Sequence, residues 1–352
     1  MELYSQFEKK KDLEVLLNLL YTDNFYYKES HFFEDSFQNK KAFLIKYSKV
    51  FNAYSPKKLK RKSTEITIDV LERQEFDLFI PTYYDPYFLA HIKNKPFVLT
   101  VYDMIHELYP HYFTDDPDTV ANKKLLIEKA TKIIAISENT KKDLIRFYPL
   151  VDPAKIEVVY LAHTIKDGVS PELNVPENYI LFVGNRSIYK NFLFFLKAVA
   201  PILLERPDLY IFCAGGNPFT KEENIIIKNL GLADRVLQRN FEDAELSAYY
   251  EKALCFVFPS EYEGFGIPVL ESMAAGCPVI LTNSSSFPEV AGDAGIYFEL
   301  NDTDDLRKQV TTIIDDKKLR EEYKLKGIEQ ASKFSWEKTA SETLKVYQKA
   351  VS

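Results

Sequence analysis

Two carboxylates, Glu263 and Glu271, bracket a glycine-bearing turn within residues 256–280, FVFPSEYEGFGIPVLESMAAGCPVI. A buried strand is expected to end at Ser260, with the loop Glu263-Gly264-Phe265-Gly266 after it. A helix then begins with Pro268 in its first turn and stops before Gly276. Such a turn aims backbone N–H groups at whatever lies above the strand and favours a phosphate or another anion. Glu271 is placed to accept hydrogen bonds from vicinal hydroxyls such as those of a ribose. The glycines taken alone are equally compatible with a tight turn that binds nothing.

A second segment supplies the opposite charge. Residues 182–191, FVGNRSIYKN, leave another buried strand, turn at Gly184 and set Arg186 and Lys190 ahead of a helix. Arg186 is one of nine arginines among 45 basic residues, so its use here stands out. Together an Arg and a Lys can clamp a diphosphate and neutralise the charge that grows as it leaves. The alternative is an ordinary solvated helix start, and two convergent sites in one Rossmann-like domain argue for binding.

The segment G-N-R-x3-K-N, the strand end Cys213-Ala214-Gly215-Gly216 and the run P-S-E-Y-E-G-F-G-I-P-x2-E-x-M-A-x-G-C-P-V-I together resemble the family-4, "group 1", retaining glycosyltransferases of the GT-B fold. Glu263 and Glu271 match that family's E-x7-E motif. The resemblance covers about residues 178–300 and extends, less closely, over 95–165, where TVYDMIHELYP and AISENTKKDL look like segments of bacterial polysaccharide transferases. It implies that Arg186 and Lys190 hold a nucleotide diphosphate, with Gly184 and Gly215 lining the same site. Glu271 would take the ribose hydroxyls, and Glu263 with the amides of Gly264, Phe265 and Gly266 the donor sugar and phosphate. It also implies transfer with retention and without a metal, the leaving phosphate oxygen taking the acceptor's proton on the same face. Positive charge near the diphosphate would then be the main catalytic contribution.

Two departures from the family stand out. Where members often carry a His after a buried strand, this chain has Tyr102 in Val101-Tyr102-Asp103. His106 either substitutes in that sugar contact or packs in its loop, and a lone His favours packing. Relatives also open with a strand and a glycine-rich loop before their first long helix, whereas this chain begins inside that helix at Glu2-Leu3-Tyr4. The resemblance therefore implies a misassigned start, a truncated remnant or a substitute segment.

At roughly 100–200 residues per domain, 352 residues suggest two domains. In the first half, nearly continuous apolar runs at 77–83, 96–103, 132–137 and 155–160 predict parallel strands buried on both faces. Ser137-Glu138-Asn139-Thr140 opens a helix between two of them. Gly168, Pro171 and Pro176 mark a linker over 165–177. In the second half, strands at 179–184, 209–215, 235–239, 255–260, 278–283 and 295–299 alternate with helices near 190–205, 220–230, 242–253, 267–275, 302–316 and 319–332. That alternation predicts a doubly wound parallel sheet. The expected architecture is two Rossmann-like domains facing across a cleft: 1–167 on the acceptor side, 168–335 binding the nucleotide sugar, and a helix over 336–352 crossing back to the first domain.

Composition narrows the function classes. The formal charge of −7 argues against a nucleic-acid binder. Hydrophobic residues at 46% and charged residues at 28% fit a soluble globular chain. The 26 Phe and 23 Tyr read first as the codon bias of an AT-rich genome rather than as an aromatic binding surface. Glycine is scarce, and six of the 11 fall at positions 184, 215, 216, 264, 266 and 276, which marks those turns. Cys213, Cys255 and Cys277 are too far apart for a C-x-x-C site and fit a reducing cytoplasm. There is no signal-peptide pattern at the N-terminus, and the most apolar stretch, 192–204, is shorter than the roughly 20 residues that span a bilayer.

Other motifs are weaker than they look. His106-Glu107-Leu108-Tyr109-Pro110-His111 has one residue too many for a zincin helix. Asp116-Pro117-Asp118 reads as a polar loop and Asp302-Thr303-Asp304 as a helix start, not as D-x-D metal sites. The run Lys57-Lys58-Leu59-Lys60-Arg61-Lys62 reads as a solvated loop, or as a contact with anionic lipid at the inner face of the membrane. The expected function is transfer of a hexose from a nucleoside-diphosphate sugar, the donor substrate and no further cofactor, to a glycan or lipid-linked acceptor of a bacterial surface polysaccharide. A nucleotide-sugar epimerase of the same fold, and a truncated, inactive sugar-nucleotide-binding subunit, are the alternatives.

Overall fold

A computed structural model describes residues 2–8, 56–165 and 173–352. Strands form where apolar runs are flanked by polar residues. In the N-terminal half β1 (Val98–Val101), β2 (Lys132–Ala135) and β3 (Ile156–Val158) make a three-stranded sheet in that order. The run at 77–83 does not become a strand. Pro81 has no N–H to give to a ladder, and only Phe79 joins, through a single parallel bridge to Phe97.

Two further N-terminal expectations are corrected. Asp118, assigned to a polar loop, opens the helix Asp118–Lys129. That helix is hard to see because Lys123 stands on its buried face, its ammonium 5.0 Å from the centre of the Tyr84 ring. The basic run 57–62 lies in the first turns of the helix Pro56–Arg73 rather than in a loop. The side chains of residues 56–60 fall outside the described ones, and Arg61 pairs with Glu65 at 3.3 Å. The helix Glu138–Phe147 starts as expected, with the Ser137 hydroxyl accepting from the Thr140 N–H at 2.9 Å.

The C-terminal half builds a larger sheet from β4 (Asn178–Val183), β5 (Leu209–Ala214), β6 (Val236–Arg239), β7 (Cys255–Phe258), β8 (Val279–Thr282) and β9 (Gly295–Phe298). All six are parallel, in the order β6-β5-β4-β7-β8-β9. Alternate side chains feed two cores. Ile180, Phe182, Ile211, Cys213 and Val257 pack with the helices Phe192–Glu205 and Thr303–Asp315 on one face. Leu181, Val183, Phe212, Phe256 and Phe258 pack on the other, with residues of the helices Asp243–Lys252 and Ile267–Ala274. Phe182, Phe212, Phe256 and Phe258 are at most 1% exposed, and each such burial contributes about 1.5–3 kcal/mol. The chain winds outward from β4 in one direction and resumes beside it with β7, so the switch of winding lies between those two strands. Ligands of doubly wound sheets sit outside the carboxyl ends at that point.

By contact the chain forms two compact units. One comprises the described residues of Met1–Thr100 together with Asp118–Ile134 and Trp336–Ser352, and the other comprises Val101–Pro117 and the described residues of Ala135–Ser335. Within the first, the helices Glu2–Glu8 and Trp336–Val351 pack together, with the Phe7 and Tyr347 rings 5.8 Å apart. Among the described residues no helix is long and apolar enough to cross a membrane.

All three cysteines are buried. Burial pushes the Cys213 and Cys277 thiols each up to about 12 and raises that of Cys255. The thiolate is the nucleophile, so at about pH 8 iodoacetamide should leave all three unmodified in the folded protein and label all three in guanidinium, as read by mass spectrometry.

Candidate active site

The carboxyl ends of β4 and β7 lead into the two segments that carry the candidate charges. Lys190 Nζ donates to Glu263 Oε1 at 2.8 Å, with the side chains only 14% and 18% exposed. Ser260 Oγ donates to the same oxygen at 3.0 Å. The ammonium also lies 5.2 Å from the Phe258 ring centre and 5.6 Å from that of Tyr189, contacts that stabilise a partly desolvated cation. Burial, and then the negative charges of Glu263 and Asp103, hold the Tyr189 phenol above its usual range.

The loop carrying Glu263 is fixed from several sides. A Cβ on Gly264 would stand 1.7 Å from the Tyr102 carbonyl oxygen, so no larger residue fits. Thr140 Oγ1 donates to the Gly264 carbonyl at 3.2 Å. Gly266 takes a left-handed φ of 91° and starts the helix Ile267–Ala274. Sequence reasoning passed over the serines after β8. Ser285 Oγ accepts from the Glu263 N–H at 3.1 Å and donates to its carbonyl, while Ser286 Oγ donates to the carbonyls of Glu263 and Phe265 at 2.9 and 3.0 Å. A polar run at the carboxyl end of a buried strand was the available signal.

Two more carboxylates hold the surroundings and were also missed. Glu289 accepts from the N–H groups of Glu138 and Asn139 at 2.8 and 2.9 Å and from the Tyr160 hydroxyl at 3.1 Å, capping the helix Glu138–Phe147. Asp143 accepts from the Tyr262 hydroxyl at 3.0 Å, and that oxygen accepts from the Met104 N–H at 3.4 Å. Burial, and then Asp143, raise the Tyr262 phenol, which stays a donor.

Arg186 is differently placed. Its side chain is 3% exposed, and Nε donates to Glu223 Oε1 at 2.7 Å. Nη1 donates to the Gly215 carbonyl at 3.4 Å, and Nη2 to those of Asn217 and Pro218 at 2.9 and 3.2 Å. The guanidinium also lies 4.7 Å from the Phe219 ring centre. It therefore ties the loop after β5 to the helix Lys221–Asn229. Glu223 completes a capping box with Thr220, visible in the sequence as T-x-x-E.

The other candidate residues divide between site and support. Tyr250 OH donates to Glu271 Oε2 at 3.3 Å, and burial next to that carboxylate raises its own pKa well above the usual range. Phe265 is a core side chain, with its ring 5.9 Å from each of Tyr160 and Phe334. Asp103 Oδ1 accepts from the Ile105 N–H at 3.1 Å. His106 packs, its ring 4.1 Å from that of Phe113 and its Nε2 3.8 Å from Asp116. Gly184 and Gly215 end neighbouring strands with left-handed φ values of 96° and 80°.

The family description "Glycosyl transferases group 1" matches residues 166–330, and "Glycosyltransferase Family 4" matches residues 33–163. The chain belongs to the group 1, family 4 glycosyltransferases. The enzyme is 28% identical over 285 residues to the O-antigen chain mannosyltransferase B of Escherichia coli, covering 75% of this chain and 73% of that one. It is 29% identical over 243 residues to the N-acetylgalactosamine-N,N'-diacetylbacillosaminyl-diphospho-undecaprenol 4-alpha-N-acetylgalactosaminyltransferase of Campylobacter jejuni, covering 66% of this chain and 65% of that one. It spans 32% of the serotype-specific mannosyltransferase WbdA of Escherichia coli. In fold it is similar to Anabaena HepE, with a TM-score of 0.69 at 19% identity over 82% of this chain and 81% of that one. The sucrose-phosphate synthase of Thermosynechococcus elongatus gives 0.66 at 20% identity, over 84% and 80%. Both likenesses place this glycosyltransferase in the GT-B fold.

Gly264→Ala should destabilise the enzyme by about 1–3 kcal/mol in urea unfolding, because the Tyr102 backbone must move. Arg186→Ala should cost more, about 3–5 kcal/mol, by leaving Glu223 buried and unpaired. The double variant with Glu223→Ala should then cost less than the two single losses together in a double-mutant cycle.

Proposed function

We propose that this glycosyltransferase moves a hexose, with retention, from a nucleoside-diphosphate sugar to a glycan or lipid-linked oligosaccharide in the synthesis of a surface polysaccharide such as O-antigen or capsule. The observation that carries this is the Lys190–Glu263 pair at the switch point between β4 and β7. Anions bind at such a point beside loop amides and a helix start. The relatives' names support the acceptor class, and HepE, solved with UDP and glucose, supports the donor class.

In the proposed reaction, the diphosphate takes over Lys190 with the amides of Gly264, Phe265 and Gly266, and Glu263 turns from the ammonium to hydroxyls of the sugar. Glu271, oriented by the Tyr250 hydroxyl, accepts from the ribose. Arg186 contributes by holding the loop through Gly215 in place rather than by clamping phosphate. As the bond from C1 to the phosphate oxygen breaks, the acceptor oxygen bonds to C1 on the same face, and its proton passes to the departing phosphate oxygen. The charge gathering on that phosphate is offset by Lys190 and the amides. The proposal includes no cofactor beyond the donor. Basic residues 57–62 suit peripheral contact with anionic lipid on the cytoplasmic side, at about 1 kcal/mol per residue near the surface.

Lys190→Ala and Glu263→Ala should each lower transfer at least about 10²-fold, with far-ultraviolet circular dichroism unchanged. Near-normal turnover in either folded variant overturns the role given to that residue, and absence of sugar transfer by the wild type overturns the proposal. A thermal-shift panel of UDP, GDP, ADP and TDP identifies the base.

A further inference from the structure

Residues 109–113, YPHYF, concentrate aromatic rings in a segment the proposed reaction does not use. Pro110 fixes a short turn, Pro110–Tyr112, which brings the Tyr109 and Tyr112 rings to 5.7 Å with planes 10° apart. The exposed His111 ring lies 4.1 Å from that of Tyr112, and Tyr262 lies 6.3 Å from Tyr109. Tyr109 and Tyr112 are themselves only half-buried.

This cluster is tied to the candidate active site through hydrogen bonds. Tyr112 OH donates to both oxygens of Glu261, at 3.3 and 3.4 Å. The Glu261 N–H donates to the carbonyl of Tyr189 at 2.8 Å, and Tyr189 precedes Lys190 in the chain. The Phe113 ring lies 6.2 Å from that of Tyr189. Half-exposed rings and a carboxylate thus continue outward from the Lys190–Glu263 pair.

A pyranose matches that surface. Its C–H faces are weakly positive and suit the negative face of an aromatic ring, and its hydroxyls suit a carboxylate acceptor. Tyrosines provide such contact area at low entropic cost. We propose that Tyr109, His111 and Tyr112, edged by Glu261, form a subsite for a hexopyranosyl unit of the acceptor glycan, separate from the donor sugar at Glu263. This rests on the transferase reading above and names where its acceptor sits.

Saturation-transfer NMR on the full chain with UDP present tests it, using an α-linked mannotriose and, separately, an α-linked N-acetylgalactosamine trisaccharide. The wild type should pass saturation to ring C–H protons of at least one of them. In the Tyr109→Ala, Tyr112→Ala double variant the affinity should fall about tenfold or more while UDP still binds, and Tyr112→Phe, which keeps the ring, should retain the signal. The subsite is overturned if neither trisaccharide receives saturation in the wild type. It is equally overturned if the double variant keeps the wild-type signal, or if it loses UDP binding together with the sugar, which is the mark of a packing role. Absence of sugar transfer to any acceptor by the wild-type chain overturns the transferase reading and leaves a sugar signal at the tyrosines standing, so the two failures are distinguishable.

Discussion

An ammonium and a carboxylate that are both more than four-fifths buried must meet each other or a ligand, because neither can be left desolvated alone. Lys190 and Glu263 satisfy that demand at 2.8 Å, where the order of the larger sheet sets β4 beside β7 and brings segments 73 residues apart side by side. The demand sets the tolerances around it. β4 and β7 must be neighbours, their carboxyl ends must be level, and the loop after β7 must be stiff enough to keep a glutamate beside a lysine rather than in water.

Stiffness comes from backbone satisfaction. The Glu263 N–H and carbonyl are both taken by Ser285, and Ser286 bonds the carbonyls of Glu263 and Phe265, so the turn is laced to the end of β8. Gly264 lets the Tyr102 carbonyl approach closer than any side chain would allow. Glu289 and Asp143 then lock the elements that deliver Tyr102 and Thr140, one by capping a helix and the other through Tyr262. Removing buried hydrogen-bond partners costs more than forming them returns, which is why this shell is built from small hydroxyls and carboxylates with every role assigned.

Local pattern carried most of the fold. Five strands of the larger sheet were legible as apolar runs buried on both faces, with β6, Val236–Arg239 at the sheet edge, the exception, and their helices were legible because Pro268, Gly276 and Asp302 punctuate them. Local pattern misled at Pro81 inside an apolar run, at Lys123 on the buried face of a helix, and at the basic run 57–62, whose charges read as a loop but lie in a helix. The two charged segments of the site were legible as motifs, since glycine is rare and sits at their turns. Their supporting shell was not, because Ser285, Glu289 and Tyr262 act on residues 22 to 151 positions away, and spacing of that length carries no periodic signal.

Arg186 and Lys190 show why motif membership does not settle a role. They lie four residues apart and carry the same charge, yet the fold uses them oppositely. The guanidinium is a planar fork with several fixed donors, and here Glu223 and three carbonyls occupy it, so any anion that recruited it would first unmake the loop between Gly215 and Pro218. The ammonium is a compact charge with rotatable donors, resting on two aromatic rings and held by a single glutamate oxygen. Exchanging that oxygen for one of a phosphate replaces one negative partner by another and leaves the rings, the strands and the serine lacing untouched. A buried arginine with its acceptors in place makes a rigid wall, whereas a buried lysine held by one glutamate oxygen has a single partner to exchange, and the proposed reaction assigns that exchange to the donor's phosphate.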